Sequence, residues 1–417
     1  MAATVRSELY DGLVRKIGYS VGLEYLVLRV SELVELYLSQ GTVTGGDWHQ
    51  LVKSWGRNST AEQHIADFYS SLDLIRRYNS AIHVLPGLEV LGILFGHERP
   101  TTMKADGDAH VVALKFVLAQ KLLEADGDIF LNALLVNFDP SDLLEKLQDL
   151  IRFKRGVVRP HFKQASVIRR VMESIAIKNQ TEADGKPKRM SYAEQSRLMW
   201  SNGGPSKHKE WTEQEIFISD DYVEKVCVTR RGWAEDLGLF NKSLGGLTET
   251  GSALLNGARK VGLSFDTEHG HGFAFWPYGF ELRKMSLPPK DLGVADISPW
   301  DVINVVSGIF VPRETSIQGA EQEAPTRVAV ISMLAETLAL YRNVDKRGTI
   351  RHDLPLFIAE PVLAFWLRRG GQQLPDFRTF LKAEFSRKDR KVDYVMLRGT
   401  EGGLRLMEWA GTNGRRT

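Results

Sequence analysis

Residues 236–251 read DLGLFNKSLGGLTETG, and residues 72–87 read LDLIRRYNSAIHVLPG, which is a looser copy of the same order. In both copies the apolar end of a helix runs into a short strand, a tight polar turn and a second strand. The start of another helix follows, at Leu-Thr-x-x-Gly in the first stretch and at Leu-Pro-Gly in the second. The pattern therefore predicts a helix, a β-hairpin and a further helix at two places in the chain.

Composition is typical of a soluble globular protein. The chain of 417 residues is 43% hydrophobic and 25% charged, and its length predicts two to four domains. The apolar runs are too short to span a bilayer, and the N-terminus lacks a basic segment followed by an apolar one. The single cysteine, Cys227, excludes an internal disulfide framework, and its apolar neighbours suit a buried thiol. We expect a cytoplasmic protein.

Charge is distributed unevenly along the chain. Residues 1–150 carry 13 basic and 20 acidic side chains, whereas residues 151–417 carry 41 and 32. The excess is concentrated in residues 151–210, with 14 basic against 5 acidic side chains. Such an asymmetry suggests an acidic partner for the middle of the chain, and the alternative is a solvated, lysine-rich surface.

Apolar periodicity and turn residues predict an α+β, helix-rich fold. Residues 125–128 (Ala-Asp-Gly-Asp) are typical of a turn, and the apolar run Ile129–Phe138 favours a strand or a buried segment. Helices are expected at 8–38, 59–72, 108–124, from 139 onward, and at 326–342, 356–369 and 376–388, with strands at 270–280, 392–397 and 404–409. The predicted domains are an N-terminal one at 1–105, a helical unit with a basic end at 106–180, a central one at 181–300 and a C-terminal one at 301–417.

The two helix–hairpin stretches resemble the winged-helix superfamily, a variant of the helix-turn-helix, over about 50–65 residues at each place. Residues 326–417 are predicted to form three helices followed by two strands, which is also the order of elements in winged-helix domains. The resemblance implies that the helix before the wing enters the major groove of DNA, which makes Ser59–Leu72 and Thr229–Leu237 the candidate reading helices. The first is acidic, which favours a protein-docking role, whereas the second begins with Arg230-Arg231 and has Lys242 in its wing.

Double-stranded DNA is the predicted partner, and a protein partner or a homo-oligomer is an alternative. Arginine and lysine would contact phosphates, giving salt-dependent and mostly sequence-independent affinity. Residues 152–170 contain seven basic side chains and no acid. The predicted DNA-binding residues are Arg152, Lys154, Arg155, Arg159, Lys163, Arg169, Arg170, Lys186, Lys188, Arg189, Arg230, Arg231 and Lys242.

Two further hypotheses, a metal-binding site and a metal-dependent nuclease, remain open beside DNA binding. The cluster Asp266-Thr267-Glu268-His269-Gly270-His271 has residue types that bind metals, but the sequence names no ligand from elsewhere. A metal-dependent nuclease would use Asp266 with Glu281 and Lys284, although Glu-x-x-Lys is one residue longer than the acid–x–Lys unit of such enzymes. No phosphate-binding loop or dinucleotide fingerprint occurs.

The sequence thus predicts no cofactor, no catalytic residue and no assigned metal site. It predicts non-catalytic DNA binding by tandem winged helices, in a regulator or in the recognition subunit of a larger assembly. A prokaryotic defence system is the expected setting by analogy, because tandem winged helices resemble the target-recognition halves of some restriction enzymes. Fold alone does not establish that role. The alternatives are a protein scaffold without DNA contact and a metal-dependent nuclease.

Overall fold

The computed structural model describes residues 23–158 and 218–275, apart from gaps at 42, 58, 79–80, 103–106 and 219. It also describes 297–313, 327–344, 353–371, 379–380, 383, 392–395 and 403–406. These residues fall into two compact units. Unit 1 holds the described residues from Leu123 to Pro299, and unit 2 holds those up to Leu122 and those from Trp300 onward.

The expected α+β, helix-rich fold is confirmed, and its strands form short antiparallel pairs. In chain order the described helices are α1 (Leu23–Gln40), α2 (Gly45–Ser54), α3 (Ser59–Ser71), α4 (Pro86–Phe95), α5 (Ala109–Leu135), α6 (Pro140–Val158), α7 (Asp220–Asp236), α8 (Glu249–Lys260), α9 (Pro299–Phe310), α10 (Arg327–Val344) and α11 (Leu356–Arg369). The described strands are β1 (Val43–Thr44), β2 (Ile75–Tyr78), β3 (Ala81–Val84), β4 (Phe240–Asn241), β5 (Gly246–Leu247), β6 (Ser264–Thr267), β7 (Gly270–Phe273), β8 (Asp353–Pro355), β9 (Val392–Val395) and β10 (Gly403–Leu406).

Unit 2 contains two antiparallel sheets with the same strand order. In the first sheet β3 lies between β1 and β2, and in the second β10 lies between β8 and β9. Each sheet begins with a short strand between two helices, and each ends with a hairpin. The predicted helices at 326–342 and 356–369 and both C-terminal strands are confirmed within a few residues. Most of the predicted helix 376–388 lies outside the described residues.

Helix α4 forms the centre of unit 2. Apart from Glu89 its residues are apolar, and all of them from Gly87 to Phe95 are buried. Helices α1, α10 and α11 pack against it. A helix that is hydrophobic all round is stable in water only when other elements cover it. The segments predicted as separate domains at 1–105 and 301–417 therefore share the core of one unit in their described parts.

The stretch at residues 72–87 forms a fixed junction between helix and hairpin. Asp73 adopts a left-handed conformation with φ 56° just after α3 ends. The Leu74 amide then donates to the carbonyl of Tyr69 at 3.0 Å. After the β2–β3 hairpin, the Leu85 amide donates to the carbonyl of Leu74 at 3.0 Å. These bonds satisfy the end of α3 and fix the direction in which the chain leaves it.

The stretch at residues 236–251 repeats these features of the junction. Gly238 takes the left-handed position with φ 73° after α7. The Leu239 amide donates to the carbonyl of Ala234 at 2.7 Å, and the Thr248 amide donates to that of Leu239 at 3.1 Å. The predicted hairpin is present as β4–β5, with Phe240 opposite Leu247. The likeness between the two stretches is therefore one of backbone geometry as well as of sequence.

A third junction, which the sequence pattern did not reveal, lies between α8 and the β6–β7 hairpin. Gly262 is left-handed with φ 83°. The Leu263 amide donates to Ala258 O at 3.0 Å, and the Ala274 amide donates to Leu263 O at 2.8 Å. The expected strand at 270–280 is present as β7 over its first four residues. Residues 276–280 lie outside the described part of the chain.

A glycine allows the helix after each of the two predicted hairpins to approach the junction closely. A Cβ atom on Gly87 would lie 2.6 Å from the carbonyl oxygen of Asp73. A Cβ atom on Gly251 would overlap the carbonyl oxygen of Leu239. Real Cβ atoms do not approach so near, so both positions require glycine. This explains why the Gly of Leu-Thr-x-x-Gly belongs to the pattern.

The predicted turn at residues 125–128 is wrong. Of the two alternatives for Ile129–Phe138, the strand is wrong and the buried apolar segment is confirmed. Helix α5 runs without interruption through the predicted turn and as far as Leu135. Asp126 and Asp128 are fully buried within this helix, and a Cβ on Gly127 would come 2.6 Å from the ring of Phe275. Helix-breaking residues are tolerated here because distant side chains pair with the two aspartates and a ring covers the glycine.

Candidate functional site

A buried bidentate ion pair joins α5 to α7 in unit 1. Arg230 donates from Nε and from an Nη to the two carboxylate oxygens of Asp126, at 2.9 and 2.8 Å. The aspartate is fully buried, and Arg230 is 4% exposed. Burial alone would lower the pKa of the Arg230 guanidinium, but the charge and hydrogen bonds of Asp126 outweigh it and raise that pKa. The guanidinium also lies over the ring of Trp233, 4.8 Å from its centroid.

A second buried pair ties α5 to α6 and to the segment after β7. Lys154 Nζ donates to Asp128 at 2.7 Å and to the carbonyl of Phe275 at 3.0 Å. The other oxygen of Asp128 accepts from the Phe275 amide at 2.5 Å. Asn132, one turn further along α5, exchanges hydrogen bonds with the backbone of Phe273 at 2.7 and 2.9 Å. These contacts hold the hairpin β6–β7 against the helices.

Two of the predicted DNA-binding residues therefore have an internal role. Lys154 is 1% exposed, Arg230 is 4% exposed, and each is paired with an aspartate. A duplex cannot reach either cation without breaking the pair. A count of basic residues along the sequence includes them because it does not reveal partners that are distant in the chain.

Three other predicted residues, Arg152, Arg231 and Lys242, are at least partly exposed on unit 1. Arg152 is half-exposed and lies 3.3 Å from Asp149. Arg231 lies 3.9 Å from Glu235 on the next turn of α7. Lys242 is exposed in the turn between β4 and β5. Arg155 belongs to α6. The remaining predicted residues, Arg159, Lys163, Arg169, Arg170, Lys186, Lys188 and Arg189, lie outside the described residues.

Helix α7 presents mainly acidic side chains to solvent. Its accessible charged residues are Asp220, Asp221, Glu224, Lys225, Arg231, Glu235 and Asp236. The two basic members are within ion-pair distance of acids on the same helix, at 2.6 Å for Lys225 and Asp221. Phosphates would be repelled by this face. The prediction that residues 229–237 form the reading helix is therefore not favoured by the surface of α7.

The solvent face of α8 has a different composition. Ser252, Asn256, Arg259 and Lys260 are all exposed on it. Thr248 caps the N-terminus of the helix, and its side chain accepts from the Gly251 amide at 3.0 Å. Arg259 donates to Asn256 at 3.1 Å, which places the two polar groups side by side. The sequence signal was present in the spacing Ser-x-x-x-Asn-x-x-Arg, which puts these types on one face of a helix.

The β4–β5 hairpin presents an unusual tip. The side chain of Asn241 accepts from the amides of Ser243 and Leu244 at 2.9 and 3.2 Å, which closes the turn. Leu244 is 81% exposed, next to the exposed Lys242. An apolar side chain held outward by a closed turn is available for contact with another molecule.

An open cleft of about 480 Å³ lies in unit 1. Polar side chains from α6, α8 and the β6–β7 hairpin line it, among them Asp142, Glu145, Lys146, Arg259, His269 and His271. His269 and His271 are separated by one residue in the sequence but lie in different elements. His269 is in the turn, whereas His271 is on β7. They therefore do not form a pair on one side of a strand.

Cys227 is buried on α7, as its sequence context predicted. Burial is the main cause that raises the pKa of its thiol to about 11, and the negative charge of Asp139 adds to the effect. The positive charges of Arg231 and Arg230 act in the opposite direction but do not cancel it. At neutral pH the thiol is therefore protonated and a poor nucleophile.

Native Cys227 is expected to react with iodoacetamide at pH 8 roughly 100-fold more slowly than the same thiol in the unfolded chain, since its thiolate is scarcer. The rate should keep rising until the pH nears 11, because the thiol titrates there. Mass spectrometry measures the modification directly, since the chain has one cysteine. A rate that levels off near pH 8.5, as in guanidinium, would contradict the buried setting.

No described helix combines the length and the apolar composition needed to cross a lipid bilayer. No protein-family model matches the chain, and no curated protein or solved structure matches it either.

Proposed function

We propose that the chain binds double-stranded DNA through helix α8 and the tip of the β4–β5 hairpin. The observation that carries the proposal is the solvent face of α8, which presents Ser252, Asn256, Arg259 and Lys260 between two hairpins. These residue types make most contacts with phosphates and base edges in protein–DNA complexes. DNA binding is thus assigned to a helix other than the two that the sequence pattern favoured.

The order of elements supports a winged-helix arrangement. In the winged-helix superfamily the reading helix comes directly before the wing. Helix α8 comes directly before the β6–β7 hairpin, through the same kind of junction that connects α3 to β2–β3. Unit 2 adds two sheets with the short-strand and hairpin order expected of such modules. The tandem winged-helix arrangement is part of this proposal.

Charge supports the same surface. Arg259 and Lys260 lie at the end of α8, and Lys242 lies on the hairpin before it. The neighbouring acids Asp266 and Glu268 on β6–β7 disfavour a phosphate at that hairpin. We therefore expect phosphate contacts at Lys242 and at the C-terminal end of α8. We expect the exposed Leu244, at the tip beside Lys242, to contact the edge of a sugar in the groove.

Binding is expected to weaken steeply with salt. The slope of log affinity against log salt is about −0.9 for each phosphate contact. Changing both Arg259 and Lys260 to alanine should make the slope shallower by about 2 and lower the affinity at low salt. Fluorescence anisotropy with a labelled duplex, between about 50 and 200 mM salt, measures both quantities.

Lys225→Ala is the matched control, since Lys225 is an exposed lysine on α7 that lies 2.6 Å from Asp221. It should leave both affinity and slope unchanged. Circular dichroism would verify that each variant is folded. No binding at the lowest salt would contradict DNA binding itself. Binding that survives the double change but is lost in Lys225→Ala would move the interface to α7.

A second function, docking of a protein partner, is favoured for the N-terminal copy. Helix α3 contains no lysine or arginine, and its exposed side chains include Gln63, Asp67 and Ser70. Asp67→Lys would strengthen DNA binding if α3 lay against a duplex. We expect this variant to leave DNA affinity unchanged, because α3 serves another contact.

A further inference from the structure

We propose that Asp149, Glu268 and His269 form a binding site for a divalent cation of the zinc class. Each of the three offers one ligand atom, and these atoms all lie within 4.8 Å of one another. Two ligands of one zinc ion lie about 3.4 Å apart, given bonds of about 2.0–2.2 Å in a tetrahedron. Small side-chain movements would therefore bring the three onto one ion.

The carboxylate of Asp149 gives a second, independent observation that points to a cation. Its side chain is 4% exposed. One carboxylate oxygen lies 3.3 Å from Arg152, but the other, Oδ2, is buried without a hydrogen-bond partner among the described residues. A buried carboxylate oxygen left without a partner is costly. A cation bound at Oδ2 removes that cost.

The fold holds the other two ligands near Asp149. Lys146, one turn earlier on α6, donates from Nζ to the carbonyl of His269 at 2.5 Å and to Thr267 at 3.4 Å. Within the turn, Thr267 accepts from the His269 amide at 3.1 Å and donates to the carbonyl of Gly270 at 2.5 Å. The turn between β6 and β7 is thus fixed to the face of α6 that carries Asp149.

Ring packing fixes the same contact from a second side. Phe153 on α6 and Phe265 on β6 are stacked with centroids 4.2 Å apart. Phe153 lies one turn beyond Asp149 in the helix. The site is therefore bracketed by Lys146 before it and by the stacked rings after it. Such preorganisation favours metal binding, because little conformational freedom is lost when the ion binds.

The ligand types indicate which ions would bind. One imidazole with two carboxylates suits zinc, whereas calcium and magnesium prefer oxygen ligands alone and in larger number. Three protein ligands leave a coordination position for water. Glu145 lies 3.6 Å from Nδ1 of His269, which adds a carboxylate at the border of the site. Arg152 pairs with the other oxygen of Asp149 and is half-exposed, so its guanidinium can turn into solvent, away from the cation.

Calorimetric titration of the chelator-treated full chain with Zn²⁺ tests the proposal. One equivalent should bind, and both Asp149→Asn and His269→Ala should weaken that binding by at least about tenfold. Cobalt(II) should also bind, and its visible absorption bands should become much more intense than those of the aqueous ion, because a tetrahedral protein site lacks a centre of symmetry. Asp149→Asn keeps the shape of the side chain, so circular dichroism should show an intact fold.

His271→Ala is the matched control, because this histidine is on the same hairpin and lies 2.9 Å from Asp266 instead. It should bind Zn²⁺ as the wild type does. Absence of a stoichiometric site in the wild-type chain would overturn the proposal. So would Asp149→Asn binding as tightly as wild type, or loss of the site in His271→Ala alone. DNA binding is measured separately and does not depend on this result.

Discussion

Asp126→Ala is expected to destabilise unit 1 by about 3–5 kcal/mol, which is the range for removing one partner of a buried ion pair. The change leaves the guanidinium of Arg230 buried without the two hydrogen bonds, at 2.8 and 2.9 Å, that now compensate for its lost hydration. Hydrogen exchange of the amides in α5 and α7 measures the loss locally. A local probe is preferable because a chain with two compact units need not unfold in one step.

Asp221→Ala is the control for this prediction. Asp221 also pairs with a basic residue, Lys225, but both side chains are more than 70% exposed. Its loss should cost at most about 1 kcal/mol, because water replaces the partner. A double change of Asp126→Leu with Arg230→Met should restore most of the stability, since no charge remains buried. Equal effects of Asp126→Ala and Asp221→Ala would show that Arg230 reaches solvent in solution.

The parts of the fold that sequence could predict are those fixed by local chemistry. The hairpins at 72–87 and 236–251 were predicted because turn residues and a glycine with special backbone needs are visible in the sequence. Helix α5 was not, since Asp126 and Asp128 resemble turn residues when considered alone. Their partners lie 104 and 26 residues away along the chain, so only the folded structure identifies the pairs.

The same limit explains the outcome for the candidate site. Basic residues can be counted in a sequence, but whether DNA can reach them depends on their burial. Lys154 and Arg230 both form buried ion pairs within the protein. The three proposed cation ligands also differ in whether the sequence reveals them. Glu268 and His269 were visible as a local cluster, whereas Asp149 joins them only because α6 packs on the β6–β7 hairpin.

Gly251→Ala is expected to destabilise unit 1 by about 1–3 kcal/mol, the usual range for overpacking. The added methyl group would overlap the carbonyl oxygen of Leu239, which itself accepts from the Thr248 amide at 3.1 Å. Backbone atoms cannot move aside as a flexible side chain can, so α8 must shift away from the junction. The strain exceeds the gain of up to about 1 kcal/mol that alanine gives inside a helix. Hydrogen exchange across α8 and the β4–β5 hairpin measures the effect.

Gly232→Ala is the control for this prediction, because it makes the same glycine-to-alanine change at a helix position without a steric clash. Gly232 lies within α7, and no atom would lie within 4 Å of a Cβ there. Alanine should therefore stabilise that helix by about 0.5–1 kcal/mol. Gly87→Ala repeats the test in unit 2, where the Cβ would lie 2.6 Å from the carbonyl of Asp73, and it should also destabilise. If Gly251→Ala were as stable as Gly232→Ala, α8 would not lie as close to the Leu239 carbonyl as the structure has it. The placement of its polar face, and with it the proposed DNA contact, would then need revision.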